Sequence, residues 1–75
     1  MNWVNFDGYW YNLDMYETVY VDTYFLDDIP IHCINGRSAF EKDKDGENLI
    51  HTLSDEYNTK DEAEKLLEHV MSKFN

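Results

Sequence analysis

Apolar positions along the chain recur with two different periods. Over residues 18–26 they alternate: Val19, Val21, Thr23 and Phe25 fall on one side, and Tyr20, Asp22, Tyr24 and Leu26 on the other. Period two marks a strand, whose successive side chains leave opposite faces. Near the C-terminus the period lengthens. Ala63, Leu66, Leu67, Val70, Met71 and Phe74 draw a single stripe at helical spacing. Thr59-Lys60-Asp61-Glu62 stands ahead of that stripe as a capping box, with Thr at the N-cap and Glu three residues on. Asp61, Glu62 and Glu64 lie where the helix dipole favours acids, and Lys73 lies near the other end. The spacing predicts a helix over 59–73 that turns its stripe to a core and keeps Lys60, Asp61, Glu64, Lys65, Glu68 and Ser72 wet.

The remaining segments read as strands and turns. Residues 29–34 are a second β-rich run, with Pro30 at its start, where no ladder donor is missed. Asn35-Gly36 carries the strongest short hairpin signal, because both central residues of a type I′ turn need positive φ. Residues 37–42 are then the returning strand, Asp43-Lys44-Asp45-Gly46 a further turn, and residues 47–53 another strand with Leu49, His51 and Leu53 on one face. At the N-terminus, residues 3–6 and 9–13 form a short hairpin about Asp7-Gly8. The predicted fold is α+β: a single domain, 1–75, in which an antiparallel meander of four to six short strands packs on one C-terminal helix. Trp3, Trp10, Val19, Val21, Phe25 and Leu67 are its expected core members.

Size and composition sharpen this picture. A chain of 75 residues buries only about 60% of its unfolded surface, so its core has little to spare. Cys33 is the only cysteine, which excludes an internal disulfide and fits a reducing, cytoplasmic setting. MNWVNFDG has neither a basic region nor an apolar run behind it, and nothing approaches the roughly 18 apolar residues of a membrane span.

Charge changes the functional outlook. The net charge is −10, and the first basic residue is Arg37. Asp7, Asp14, Glu17, Asp22, Asp27 and Asp28 all precede it without compensation. Such a field repels nucleic acid and anionic membrane and attracts basic partners. Direct nucleic-acid binding requires a basic footprint, which this chain lacks.

Candidate chemistry is thin. Aligning Gly46 with the central glycine of a calcium-binding EF-hand loop puts Glu41 in the first ligand position and Thr52 in the last, where a bidentate Glu is needed. The segment reads as a solvated turn. His32 and Cys33 are neighbours in a strand and point to opposite faces, so they do not share a metal; with His51 and His69 they read as separate structural groups. Ser38, Ser54 and Cys33 have no nucleophile signature around them, and no phosphate loop exists. The expectation is a protein that is not an enzyme and holds no metal or cofactor.

What remains is the mixture of rings and acids over residues 7–28, where Tyr9, Trp10, Tyr11, Tyr16, Tyr20, Tyr24 and Phe25 are interleaved with carboxylates. One helix covers one sheet face, so Tyr20, Asp22 and Tyr24 should line an exposed strip with Asp27 and Asp28 at its end. Exposed Tyr beside acid suits an interface: rings supply contact area, and carboxylates select the partner. The candidate partner-binding set is Asp14, Glu17, Tyr20, Asp22, Tyr24, Asp27 and Asp28. A strand rises about 3.3 Å per residue, and duplex DNA carries a charge about every 3.4 Å per strand. Acids on neighbouring strands could therefore stand in for a row of phosphates.

The WVNF…YNLD opening, the acidic meander and the closing TKDEAEKLLEHV helix resemble, in layout, short acidic proteins encoded by bacteriophages and prophages. That resemblance implies a context of inhibitors of host defence and DNA-processing enzymes, anti-CRISPR and anti-restriction proteins and DNA mimics among them. The expected function is a cytoplasmic, stoichiometric inhibitor occupying a basic site on a nucleic-acid-handling protein, in the host cell if phage-encoded. The alternative is an assembly module, a homodimer included, that self-associates through its Tyr-rich face or a strand edge.

Overall fold

A computed structural model describes residues 2–74. The chain is α+β: a two-stranded hairpin, a three-stranded antiparallel sheet and a C-terminal helix. In the hairpin, β1 (Trp3–Phe6) pairs with β2 (Tyr9–Asn12) around Asp7 and Gly8, whose φ angles of 53° and 95° make the expected positive-φ turn. A 3-10 turn at Leu13–Met15 leads into β3 (Tyr16–Leu26), followed by β4 (Ile29–Lys42) and β5 (Asn48–Thr52) in the order β3-β4-β5. The turn between β4 and β5 falls where expected: the Asp43 carboxylate accepts the N–H groups of Asp45 and Glu47 at 2.9 and 3.0 Å, and Gly46 takes φ 83°.

The predicted hairpin at Asn35-Gly36 is overturned. β4 runs straight through both residues without reversing, and the reversal that precedes it lies at Asp27-Asp28, at φ 50° and 66°. Asp tolerates the left-handed region better than most side chains, so two successive aspartates close a two-residue turn. The register that follows pairs Leu26 with Ile29 and Phe25 with Pro30. Gly36 serves close packing rather than a turn. A Cβ there would lie 2.7 Å from Tyr16 Cδ1 and 3.0 Å from Leu53 Cδ1.

α1 (Lys60–Met71) begins at the predicted cap: Thr59 Oγ1 accepts the Glu62 N–H at 3.2 Å and donates to the Glu62 carboxylate at 2.9 Å. The helix packs on β3, β4 and β1 and buries Ala63 and Val70, with Leu66 and Leu67 half-buried beside them. The side chain of Phe74, the last member of the stripe, lies outside the described residues. Val4, Phe6, Ile34, Leu53 and Val70 form the core, and Tyr11, Leu13, Tyr16, Val19 and Val21 pack around it.

Three expected core members are not in it. Trp3 is 49% exposed, Trp10 66% and Phe25 70%. In β1 the alternation turns Val4 and Phe6 inward, so Trp3 and Asn5 face out, as does Trp10 opposite Asn5. Phe25 points to the same sheet face as Val19 and Val21, but lies in the part of the β3–β4 hairpin where the side chains stand in solvent.

Candidate interaction surface

Cross-strand partners share a sheet face, so the register assigns every side chain. Val19/Gly36, Val21/Ile34 and Thr23/His32 look towards the core. Tyr20/Asn35, Asp22/Cys33, Tyr24/Ile31 and Leu26/Ile29 look the other way. Thus Tyr20, Asp22 and Tyr24 do share the outward strip, but Tyr20 and Asp22 are half-buried in it and only Tyr24 is exposed; Asp27 and Asp28 close its end, both exposed.

The strip is less acidic and more apolar than the bare sequence suggests. On the central strand its small residues are covered: Cys33 and Asn35 are buried between the flanking side chains. Asp22 is half-buried and committed. Its Oδ2 accepts from Asn35 Nδ2 at 2.9 Å, its Oδ1 accepts the Thr23 N–H at 2.9 Å, and the Cys33 thiol donates to Asn35 Oδ1 at 3.4 Å. Burial, followed by the charges of Asp22 and Glu56, pushes the Cys33 thiol up. This cysteine is therefore kept as a neutral thiol, not an activated nucleophile.

Glu56 was not visible as a member of the strip. It precedes the helix in sequence, yet its carboxylate accepts a hydrogen bond from the Tyr24 hydroxyl. That bond, more than desolvation, pushes the Tyr24 hydroxyl up to about 12. The same segment is fastened elsewhere. Tyr57 exchanges backbone bonds with His32 at 2.9 and 2.7 Å, and its hydroxyl donates to Asp7 at 2.5 Å. Asp7 Oδ2 also accepts the Asp55 N–H at 2.8 Å. Burial and the Asp7 bond raise the Tyr57 hydroxyl, so it stays a donor.

The other predicted site residues do not join the strip. Asp14 sits in the 3-10 turn before β3, where it accepts from Asn2 at 3.1 Å. Glu17 sits at the irregularity between Tyr16 and Thr18 and faces Arg37 at 3.7 Å. Along β3 the spacing from Glu17 to Asp22, and from Asp22 to Asp27, is five residues each, about 16 Å at a strand's rise of about 3.3 Å per residue. Residues 29–40 of the adjacent strand carry no acid. The sheet therefore does not set out a phosphate-like row; its carboxylates frame an apolar patch.

That patch is the surface feature sequence reasoning missed. At the end of the β3–β4 hairpin Leu26 and Ile29 are each 59% exposed. With Tyr24 and Ile31 they form a continuous outward apolar surface, backed by Phe25 and Pro30 on the opposite face. The signal was present, since both segments flanking Asp27-Asp28 are strongly apolar.

Among the described residues no three His, Cys, Asp or Glu side chains gather as metal ligands, and no helix is long and apolar enough to cross a membrane. A groove between the N-terminal hairpin and the helix is lined by Trp3, Val4, Asn5, Trp10, Val70 and Lys73. It holds no acid–base or nucleophile pair. No protein-family model matches the chain, and neither a curated protein nor a solved structure does.

Proposed function

We propose that the protein is an acidic binding module that docks the outward end of its β3–β4 hairpin on a basic site of a nucleic-acid-handling protein and inhibits it by occupying that site. One observation carries this reading: exposed Tyr24, Leu26 and Ile29, with half-buried Ile31 beside them, form an apolar patch whose rim is Asp27, Asp28 and Glu56, on a chain of net charge −10. Apolar centre and charged rim is the layout of a protein interface. The rings and aliphatic groups supply affinity, and the acids accelerate encounter with a basic surface. Nucleic-acid-binding sites are the basic surfaces that such a field finds most readily.

The test captures the partner on immobilised protein and measures rates against it. Asp27→Asn with Asp28→Asn removes two rim charges, and Asn keeps the left-handed turn accessible. This double variant should slow association several-fold at low salt and much less at near-physiological salt. Tyr24→Ala and Leu26→Ala should instead hasten dissociation. Duplex DNA should compete with the module for its partner. Salt-insensitive association, or a partner that DNA does not displace, would overturn the reading. The exposure of Leu26, Ile29 and Phe25 also favours a second reading, self-association through the hairpin. Light scattering that reports a dimer dissociated by Leu26→Asp would put that reading first.

A further inference from the structure

β3 lies at the edge of its sheet: it pairs with β4 on one side, and among the described residues no strand pairs with the other. The register settles which backbone groups look outward. Residues opposite one another in an antiparallel pair either exchange both bonds or turn both groups away. His32 bonds to Tyr57, and Ile34 bonds through its carbonyl to Leu53 at 2.8 Å and through its N–H to Ser54 Oγ at 2.8 Å, all on the far side of β4. Their partners across the pair are Thr23 and Val21. These two therefore turn their N–H and C=O groups to the open edge. Alternation extends the set to Val19 and Phe25. The bond from the Thr23 N–H to its neighbour Asp22 at 2.9 Å is made on this same outer side. The edge is also wet. Val19 and Val21 face the core yet stay half-buried, whereas Gly36 and Ile34 opposite them are buried.

We infer that this edge accepts an extended, basic segment of a partner protein as a fourth strand, paired along residues 19–25. The inference rests on the acidic-module reading above and adds the mode of recognition. Strand addition draws affinity from the main chain and specificity from alternate side chains. Native edges are usually blunted by Lys, Pro or a bulge. Residues 18–26 carry no Lys or Pro, and the irregularity in β3 lies before them, between Tyr16 and Thr18. Charge selects the occupant. A second copy would set Glu17, Asp22, Asp27 and Asp28 against their own kind, and like charges across a ladder repel. A strand with Lys or Arg opposite Asp22, and at its ends near Glu17 and near Asp27 and Asp28, meets the same acids favourably. Asp22 holds the place meanwhile: its Oδ1 satisfies the Thr23 N–H, and an incoming carbonyl that takes this donor frees that oxygen for a cation while Oδ2 stays on Asn35.

The probe is a synthetic peptide of alternating Lys and Val, compared with two analogues N-methylated at every second residue, in opposite phases. Binding is measured at low and near-physiological salt, with amide hydrogen exchange followed by NMR. The parent peptide should slow exchange at Val19, Val21 and Thr23, and one methylation phase should weaken binding about tenfold or more while the other does little, because only one edge of the added strand pairs. Equal binding by all three peptides, protection elsewhere, or no binding at all would overturn the added strand. Equal binding that still falls with salt would do so while leaving the acidic module standing. Phase-dependent binding that ignores salt would keep the strand and remove the acidic selection on which it rests. Protection of the same amides that grows with protein concentration in the absence of peptide would assign the edge to a second copy and overturn the basic occupant.

Discussion

Replacing Gly36 with Ala distinguishes a glycine needed for packing from one needed for a turn. In β4 this residue pairs with Val19 on one side and His51 on the other, with no positive φ. Ala is therefore free to adopt the backbone, and by restricting the unfolded chain it would stabilise by about 0.4–1 kcal/mol if nothing else intervened. The side chains decide otherwise. The new Cβ would stand 2.7 Å from Tyr16 Cδ1 and 3.0 Å from both Tyr16 Cε1 and Leu53 Cδ1, against about 3.5–4.0 Å for comfortable carbon contact. Tyr16 has little room to yield, because its ring stands edge-on to His51 at 6.0 Å, and Leu53 is buried. Overpacking of this kind costs about 1–3 kcal/mol. The net expectation is a loss of about 1–2 kcal/mol, which lowers Tm by about 4–8 °C per kcal/mol in a domain of this size. Thermal and urea unfolding measure it. The loss should shrink when Tyr16→Leu withdraws the ring, which a double-mutant cycle detects. Asp28→Gly should move stability the opposite way, since glycine relieves a side chain held at φ 66°. A neutral Gly36→Ala, or a cost unchanged in the Tyr16→Leu background, would refute the packing account.

Phe6→Ala empties a fully buried site and should cost about 3–5 kcal/mol, much of the roughly 0.05–0.15 kcal/mol per residue that holds a domain together. Trp10→Ala, at an exposed position, should stay within about 0.5 kcal/mol in the same denaturant assay. Thr59→Ala removes the acceptor for the Glu62 N–H and should lower stability by about 1 kcal/mol, read by helical circular dichroism on heating. The Tyr24 hydroxyl, raised from 10.0 to about 12 by its bond to Glu56, holds its proton more tightly folded than unfolded. Its stabilising contribution is complete below pH 10 and is lost as pH rises towards 12. Near-ultraviolet titration should show one late-ionising tyrosine move to lower pH in Glu56→Gln; an unchanged curve would break the link between the two residues.

Several elements were legible because their causes lie within a few residues of each other. The helix announces itself through its cap at Thr59 and the stripe from Ala63 to Met71. The Asp7-Gly8 and Asp43–Gly46 turns follow from residues that tolerate positive φ or bond their own backbone. The alternation of β3 correctly sorted Tyr20, Asp22 and Tyr24 onto one face. Alternation defines two faces, however, and not which of them is covered. Trp3 and Phe6 lie on opposite faces of β1, and only the packing of the helix and Ile34 makes Phe6 the core residue. The fate of Asn35-Gly36 was likewise undecidable locally. Asn35-Gly36 and Asp27-Asp28 both allow a two-residue reversal, and Gly36 is drawn into a strand because Tyr16 and Leu53, from distant segments, close over the space its missing side chain leaves. The meeting of Tyr24 with Glu56 and the convergence of Leu26 with Ile29 at the hairpin's end have the same origin. They depend on which distant segments come together, and that is set by the total burial of a small core rather than by any short stretch of chain.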